Sequence, residues 1–439
     1  MILYEWARRL NRARKARIRA EQDRYVSAVR RIERVKTTER VCAMTFDDGP
    51  MALPSSPDVG GGAPLTRLLA DALLEHGFRA TFDVVGDTSD NYPDRAGKPG
   101  SFYWGGEKYD HYPRLGEDAR GGAKNCPELV RYLLDRGFEL SNHGYRHRLL
   151  GFSPVYYKRR PFSGPAEAES DLRALHDLLA RDYGYTLRLA RPPHYIDGVK
   201  GGLSAYDLYE LMGYQYMAAS FDGGGWLPKP DYDAAVEAMV APVRAALARD
   251  PDAFCGQIIF QKDGCDMNGM SPVASALPQQ LRLLAEHGYR VVSVGALLAE
   301  AAFADVGAED PCFGAAKALA ADGRPVAFRF NGLRPDEPWT WGQACMLLCP
   351  PAAREKRIRA RMAGQGTLGR RDARHPYAGA LHWADGLGVV READAPVTGA
   401  ELGALCAAAG WPAPAHPGAY TRRKGILLAA ELLGAQGRE

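Results

Sequence analysis

Short apolar runs alternate with helical patterns between residues 41 and 302. Seven runs read as strands, at 41–46, 80–86, 138–142, 186–190, 214–220, 256–261 and 289–294. Six stretches read as helices, at 65–76, 126–136, 166–181, 204–212, 232–249 and 277–286. This alternation is typical of parallel strands joined by crossover helices. The predicted fold class is therefore α/β, and the strand count favours a distorted (β/α) barrel of about seven parallel strands over an open doubly wound sheet.

The pattern changes after residue 302, where strand-like runs become rare and Ala- and Leu-rich helices take over. Thr340 with Gln343, and Thr398 with Glu401, form Thr-x-x-Gln/Glu sequences that are typical of helix capping boxes. A third, partial copy begins at Thr421. Repeated capping signals predict stacked helical units, and thus a mostly helical C-terminal repeat domain.

Three domains follow from these patterns: a basic N-terminal helical arm at 1–40, the barrel at 41–302 and the helical repeats at 303–439. A Gly-, Asp- and Tyr-rich stretch at 87–124 interrupts the barrel pattern. It is longer than an ordinary connection, so we expect a surface insertion near the rim of the site.

Composition and charge narrow the class of protein. The 439 residues are 46% hydrophobic and 25% charged with a net charge of +3, which excludes a disordered, collagen-like or nucleic-acid-coating chain. No apolar run is long enough for a transmembrane helix. Residues 1–40 carry 13 basic and 5 acidic side chains, yet no apolar stretch of 7–15 residues follows Arg8 and Arg9, so the sequence as given predicts no signal peptide. We interpret 6–34 as a solvated helix, with contact to a polyanion or anionic lipid as the alternative.

The strongest local signal is the sequence TFDDGP at 45–50, where Asp47 and Asp48 directly follow a buried strand. Two adjacent carboxylates repel each other, and such a pair indicates a bound cation or a catalytic base. The structural alternative is one helix-capping and one turn aspartate. Gly49 and Pro50 favour a turn immediately after the pair.

His143 and His147 follow another strand. Histidines at i and i+4 share one face of a helical turn and can bind one metal ion. Such a pair is common by itself, but two histidines and one carboxylate together make a three-ligand site that leaves room for water.

Polar residues also follow three further predicted strands. Arg191, His194 and Tyr195 follow the fourth, Asp222 and Trp226 the fifth, and Lys262 and Asp263 the sixth. Because barrels build their active sites at the carboxyl ends of their strands, we expect these residues to surround one site.

Residues 41–302 resemble NodB-type polysaccharide deacetylases of carbohydrate esterase family 4. The resemblance rests on TFDDGP, on the ATF strand at 80–82, on the HxxxH pair His143 and His147, and on the Arg-Pro-Pro sequence at 191–193. It implies a distorted (β/α) barrel that removes N-acetyl groups from amino-sugar polymers such as cell-wall glycan or chitin.

The resemblance also implies a role for each residue. Asp47 would be the general base, Arg191 would orient it, and Asp48, His143 and His147 would hold a divalent metal, zinc in the first place. The metal would acidify a water molecule and polarise the acetamide carbonyl, and Asp47 would remove the proton. Backbone N–H groups near His194 and Tyr195 would help to stabilise the oxyanion. The remaining pocket-lining, substrate-binding positions are Pro193, His194, Tyr195 and Trp226.

Two positions depart from the family pattern. The family's fourth motif has an Asp just before the Trp to position the arginine, whereas here that place is Gly225 and only Asp222 is available. The fifth motif normally reads His-Asp, with the histidine as general acid, whereas here it is Lys262-Asp263. Lys262 could protonate the leaving amine if burial and the metal lower its pKa, and His194 is the other candidate.

The C-terminal region resembles S-layer homology repeats, on the outline of 303–306 with 333–340 and of 384–390 with 396–401. That resemblance implies binding to an anionic cell-wall polymer, with a purely structural helical region as the alternative. The leading prediction for the chain is a metal-dependent polysaccharide deacetylase. The alternatives are an inactive carbohydrate-binding barrel, or an esterase or amidase. Both resemblances suggest the cell envelope, whereas the sequence as given shows no export signal.

Overall fold

The computed structural model describes residues 2–55, 59–87, 89, 118–153, 159–227, 229–266, 269–364 and 375–434. Most of the predicted insertion at 87–124 lies outside this set. The described strands are β1 Arg31–Ile32, β2 Val41–Asp47, β3 Thr81–Val84, β4 Glu139–Asn142, β5 Leu189–Ala190, β6 Gln215–Met217, β7 Phe221–Asp222, β8 Ile258–Lys262 and β9 Arg290–Val292. The described α-helices are α1 Ile2–Arg24, α2 Leu65–Glu75, α3 Pro127–Asp135, α4 Pro165–Tyr183, α5 Ala205–Met212, α6 Tyr232–Arg249, α7 Val273–Glu286, α8 Val294–Glu300, α9 Pro311–Ala321, α10 Trp341–Leu348, α11 Pro351–Met362, α12 Ala378–Gly386, α13 Gly399–Ala409 and α14 Arg422–Leu432.

The strands form one curled sheet in the order β1-β6-β5-β4-β3-β2-β8-β7, with β9 also paired to β2. The pairings of β2 with β3, β8 and β9 are all parallel, as are those of β3 with β4 and β7 with β8. All seven predicted strands are present, and the predicted distorted (β/α) barrel is confirmed. The additional strands β1 and β7 have two residues each, too few to show a period in the sequence.

The central strand β2 is buried over its whole length, because strands and helices cover both of its faces. Its run of apolar residues ends at Thr45, Phe46 and Asp47, and these three are in register with Thr81, Phe82 and Asp83 of β3. Asp47 is also in register with Lys262 at the end of β8. The polar side chains of Asp47, Asp83 and Lys262 therefore lie together at the carboxyl edge of the sheet.

The chain divides into two compact units, one of Met1–Arg31, Tyr209–Gln215 and Ala302–Glu439 and one of Ile32–Leu208 and Tyr216–Ala301. In the first unit α1 ends at Arg24, ten residues before the predicted end of the N-terminal helix. Val26 beyond it is buried in the core of that unit, and its N–H donates to the hydroxyl of Tyr377. Asp23 pairs with Arg329 at 2.8 Å. Among the helices the structure describes, none is long and apolar enough to cross a membrane.

The predicted capping boxes are present in the C-terminal region. The Thr340 hydroxyl accepts from the N–H of Gln343 at the start of α10, and Thr398 accepts from the N–H of Glu401 at the start of α13. Thr421 caps α14 in the same way by accepting from Lys424. The mostly helical character predicted for this region is confirmed.

Candidate active site

Asp47 and Asp48 lie where β2 meets the following loop. Asp47 is the last residue of the strand, and Asp48 has a φ of +84°, a conformation that L-residues seldom adopt. The turn continues through Gly49, where an added Cβ would lie 1.9 Å from Oδ2 of Asp263. This tight turn points the two neighbouring carboxylates at different partners.

Asp48, His143 and His147 offer donor atoms that could hold a metal ion. Oδ1 of Asp48 lies 3.2 Å from Nε2 of His143 and 3.2 Å from Nε2 of His147, and all three side chains are buried. Their donor atoms all lie within 4.8 Å of one another. Two imidazole nitrogens and one carboxylate oxygen are a donor set that suits zinc and related metals.

Electrostatics differ between the two histidines. Burial lowers the pKa of His147 to about 4, so that its imidazole is neutral, as a metal ligand requires. Burial acts in the same direction on His143, but Asp83 and Asp47 outweigh it and raise the pKa of that group well above its usual range. A cation that binds at His143 therefore takes the place of a proton.

Asp47 is bound by Arg191, a fully buried arginine after β5. One guanidinium nitrogen donates to Asp47 and, at 3.0 Å, to the hydroxyl of Thr45. Burial raises the pKa of Asp47 to about 7, although Arg191 and His143 oppose that rise. A carboxylate with such a pKa can accept a proton near neutral pH and release it again.

Lys262 at the end of β8 pairs with the other carboxylate. Its ammonium lies 2.6 Å from Oδ2 of Asp48, and 22% of its side chain is exposed. Burial alone would lower the pKa of Lys262, but Asp48 outweighs burial and raises it. The condition stated above, a pKa lowered by burial and a bound metal, did not include this direct contact with Asp48. Lys262 consequently carries a proton at neutral pH.

Residues 34–196 match the polysaccharide deacetylase family. The matched region contains Asp47, Asp48, His143, His147 and Arg191, which supports homology to NodB-type deacetylases. No curated protein matches the chain significantly.

Solved structures of two deacetylases and of one pseudoenzyme are similar to part of the chain. A chitin deacetylase from the fungal pathogen Colletotrichum lindemuthianum is 18% identical over 62% of this chain and 92% of its own, with a TM-score of 0.41. The peptidoglycan deacetylase PdaC from Bacillus subtilis is 22% identical over 61% and 96%, with a TM-score of 0.38. A CE4 family pseudoenzyme from Bacillus anthracis is 14% identical over 61% and 68%, with a TM-score of 0.38.

The structure does not bring Asp222, the predicted positioning residue, to the guanidinium of Arg191. The guanidinium of Arg191 is held on that side by the carbonyl oxygens of Met217 and Ala218, at 3.3 and 3.2 Å. The exposed Asp222 instead accepts from the indole N–H of Trp226 at 3.1 Å. The carboxylate of Asp222 and the guanidinium of Arg191 thus have different partners among the described residues.

Trp226, predicted to bind substrate, lies on an open pocket with 42% of its surface exposed. The pocket is also lined by Asp222, Leu227 and Lys229. The hydrogen bond that the indole N–H donates to Asp222 fixes the ring while its face remains accessible. Such a ring provides a stacking surface for a sugar.

The loop after Pro193 places a third histidine, His194, beside His147. The rings of His194 and His147 lie 5.2 Å apart, and His194 and Tyr195 both have positive φ values, of 54° and 55°. Burial holds the pKa of His194 well below its usual range, which makes it a poor general acid. The N–H of Tyr195 donates to the carbonyl of Pro192 at 2.9 Å, so in this structure that predicted oxyanion donor is already used.

Backbone strain marks the same site. Of the six non-glycine residues with positive φ in the described ranges, four are Asp48, His147, His194 and Tyr195. Strained conformations persist where the surrounding structure enforces them, and they cluster at functional sites. Strain therefore identifies this site independently of the sequence motifs.

Sequence reasoning missed two charged residues of this region. Asp83 in β3 is fully buried, and its Oδ2 lies 2.8 Å from Nδ1 of His143. Arg159 is buried and lowers the pKa values of His147 and His194. Asp83 could have been noticed as an acid inside an otherwise apolar strand, whereas Arg159 lies in no motif and only the tertiary structure brings it here.

Proposed function

We propose that this protein is a metal-dependent hydrolase that removes N-acetyl groups from amino-sugar polymers. The observation that carries the proposal is the pairing of two adjacent carboxylates with different partners, Asp47 with Arg191 and Asp48 with the two histidines. One carboxylate is thereby suited to proton transfer and the other to metal binding. The family match over 34–196 supports the same chemistry.

The proposed roles follow from these contacts. Asp48, His143 and His147 would hold the metal, which when bound polarises the acetyl carbonyl and lowers the pKa of water. Asp47 accepts the proton from the attacking water while Arg191 keeps its carboxylate in place. Lys262, which is protonated, delivers a proton to the leaving amine of the sugar. Trp226, His194, Tyr195 and Pro193 would line the surface on which the polymer lies.

The alternative is a carbohydrate-binding barrel with little or no activity. The contact between Lys262 and Asp48 is the observation that favours it, because an ammonium group at a predicted metal ligand opposes binding of a second cation. An esterase or amidase would use the same groups on another acyl substrate, and only the substrate range distinguishes it.

We expect the purified protein to hold about one divalent metal ion per chain and to release acetate from N-acetylglucosamine oligomers. Removal of the metal with a chelator should abolish acetate release, and Zn²⁺ should restore it, because the predicted three-ligand site exchanges its metal with solution. Metal analysis and an acetate assay provide the measurements. Bound metal without turnover on any acetylated sugar would favour the binding protein, and turnover only of simple esters or amides would favour the other enzymes.

We also propose that the C-terminal region consists of three copies of one S-layer-homology-like unit and that it binds an anionic cell-wall polymer. The residues preceding the three capping threonines, Trp339, Val397 and Tyr420, form a closed ring of backbone hydrogen bonds of 2.9 to 3.1 Å. This ring supports a threefold repeat. Arg422, which directly follows the capping Thr421, is buried and donates to Leu333, Val326 and Gln343, so its guanidinium serves the packing of this region rather than a polymer.

If the region binds wall polymer, the intact protein should co-sediment with purified wall material in a salt-dependent manner, since contacts to an anionic polymer are screened by salt. Walls stripped of their anionic polymers provide the control. Protein that stays in the supernatant at low salt would leave the region with a structural role.

A further inference from the structure

Asp83 is a buried acid whose position no part of the proposed mechanism explains. Its Oδ1 accepts from the hydroxyl of Ser141 at 2.5 Å, across the pair of strands β3 and β4. Its Oδ2 lies 2.8 Å from Nδ1 of His143. A buried carboxylate costs stability unless it is paired, and this contact makes the ring of His143 the partner of that oxygen.

The ring of His143 is held from the side opposite the predicted metal. Nδ1 lies 2.9 Å from the carbonyl oxygen of Arg191 and 2.8 Å from Asp83, while Nε2 faces Asp48. A proton on Nδ1 satisfies the carbonyl and leaves the Nε2 lone pair free for a metal. Histidine ligands in metal sites typically contact a carboxylate or carbonyl through their second nitrogen, and such contacts strengthen metal binding.

Asp83 also changes the charge balance of the site. The carboxylates that face the centre are Asp47, Asp48 and Asp83, and the cations are Arg191, Lys262 and Arg159. The carboxylate of Asp83, 2.8 Å from the ring of His143, opposes the positive potential that the ammonium group of Lys262 creates at Asp48.

We propose that Asp83 is a positioning residue for the metal ligand His143 and that it offsets the positive charge which Lys262 brings to Asp48. The inference rests on the proposed metal-dependent function. Asp83 would thereby maintain the metal affinity of a site in which Lys262 opposes metal binding.

The test is Zn²⁺ affinity, measured on the full-length protein by competition with a chromophoric chelator. Asp83→Asn preserves the size of the side chain and can still accept from Ser141, but it removes the charge beside Nδ1. We expect Zn²⁺ binding to weaken by about 10- to 100-fold, the range typical of lost partners of metal ligands. Glu139→Gln is the matched control, because Glu139 bridges the same two strands through Thr81, is not one of the candidate metal donors Asp48, His143 and His147, and should leave the affinity unchanged.

A second variant tests the charge balance even if Asp83→Asn folds poorly. Lys262→Met removes the ammonium group from Asp48 and should tighten Zn²⁺ binding by about tenfold or more, since a charge within contact distance shifts such equilibria by one or more tenfold steps. The double variant Asp83→Asn, Lys262→Met should return toward the wild-type affinity. A change in the absorption spectrum of bound Co²⁺ in Asp83→Asn would report a reoriented His143.

The outcomes separate this inference from the proposed function. Wild-type affinity in Asp83→Asn, or no tightening in Lys262→Met, overturns the role of Asp83 while metal-dependent hydrolysis stands. A wild-type protein that binds no Zn²⁺ overturns both. Tight Zn²⁺ binding with the expected pattern among the variants, but without acetate release, supports Asp83 and overturns only the proposed reaction.

Discussion

Replacement of Asp47 by asparagine is expected to reduce acetate release by about 10²- to 10⁴-fold, the contribution of a general base. Asparagine has nearly the same shape and can still accept from Arg191, but its amide cannot take a proton from water. The metal donors Asp48, His143 and His147 are unchanged, so the metal content should remain at the wild-type level. Steady-state acetate release and metal analysis on the same preparation test this prediction.

Loss of folding must be separated from loss of the base. Arg191 is fully buried, and removing the charge of its partner leaves a guanidinium without a compensating carboxylate, which destabilises proteins. Thermal unfolding of Asp47→Asn should therefore be compared with that of Glu139→Gln, a carboxylate removed elsewhere in the same sheet. A folded Asp47→Asn protein with undiminished activity would show that another group is the base.

Replacement of Lys262 by methionine is expected to lower acetate release by about 10²-fold or more, because the leaving amine then lacks a proton donor. Of the two candidate acids, Lys262 carries a proton at neutral pH, whereas burial holds the pKa of His194 well below its usual range. The same variant should bind metal at least as tightly as the wild type. A drop in activity together with retained metal would therefore identify a role in proton transfer rather than in metal binding.

The conservative variant strengthens this experiment. Lys262→His places at this position the residue that the deacetylase family normally uses, and it should recover part of the activity lost in Lys262→Met. His194→Gln provides the comparison for the other candidate acid. Full activity in Lys262→Met would exclude Lys262 as the acid, and loss of activity in His194→Gln alone would transfer that role to His194.

The sequence permitted much of this site to be predicted. TFDDGP and the HxxxH pair identified Asp47, Asp48, His143 and His147 because their chemistry depends on short spacings that are visible along the chain. Arg191 was identified through a three-residue motif, and the structure places its guanidinium on Asp47. The prediction for Asp222 was less successful, because position after a strand does not say how far a side chain must reach to a buried partner.

What the sequence determined by itself was the order of strands and helices, the end of β2 at an aspartate pair and the capping boxes of the C-terminal helices. These features depend on local periodicity and on contacts within a few residues. What only the tertiary structure decided was which charges meet: Lys262 on Asp48, Asp83 behind His143 and Arg159 beside the histidines. Their effects depend on distances of a few ångströms between side chains that are far apart in the chain. They also depend on burial, because the exclusion of water strengthens the interactions between these charges.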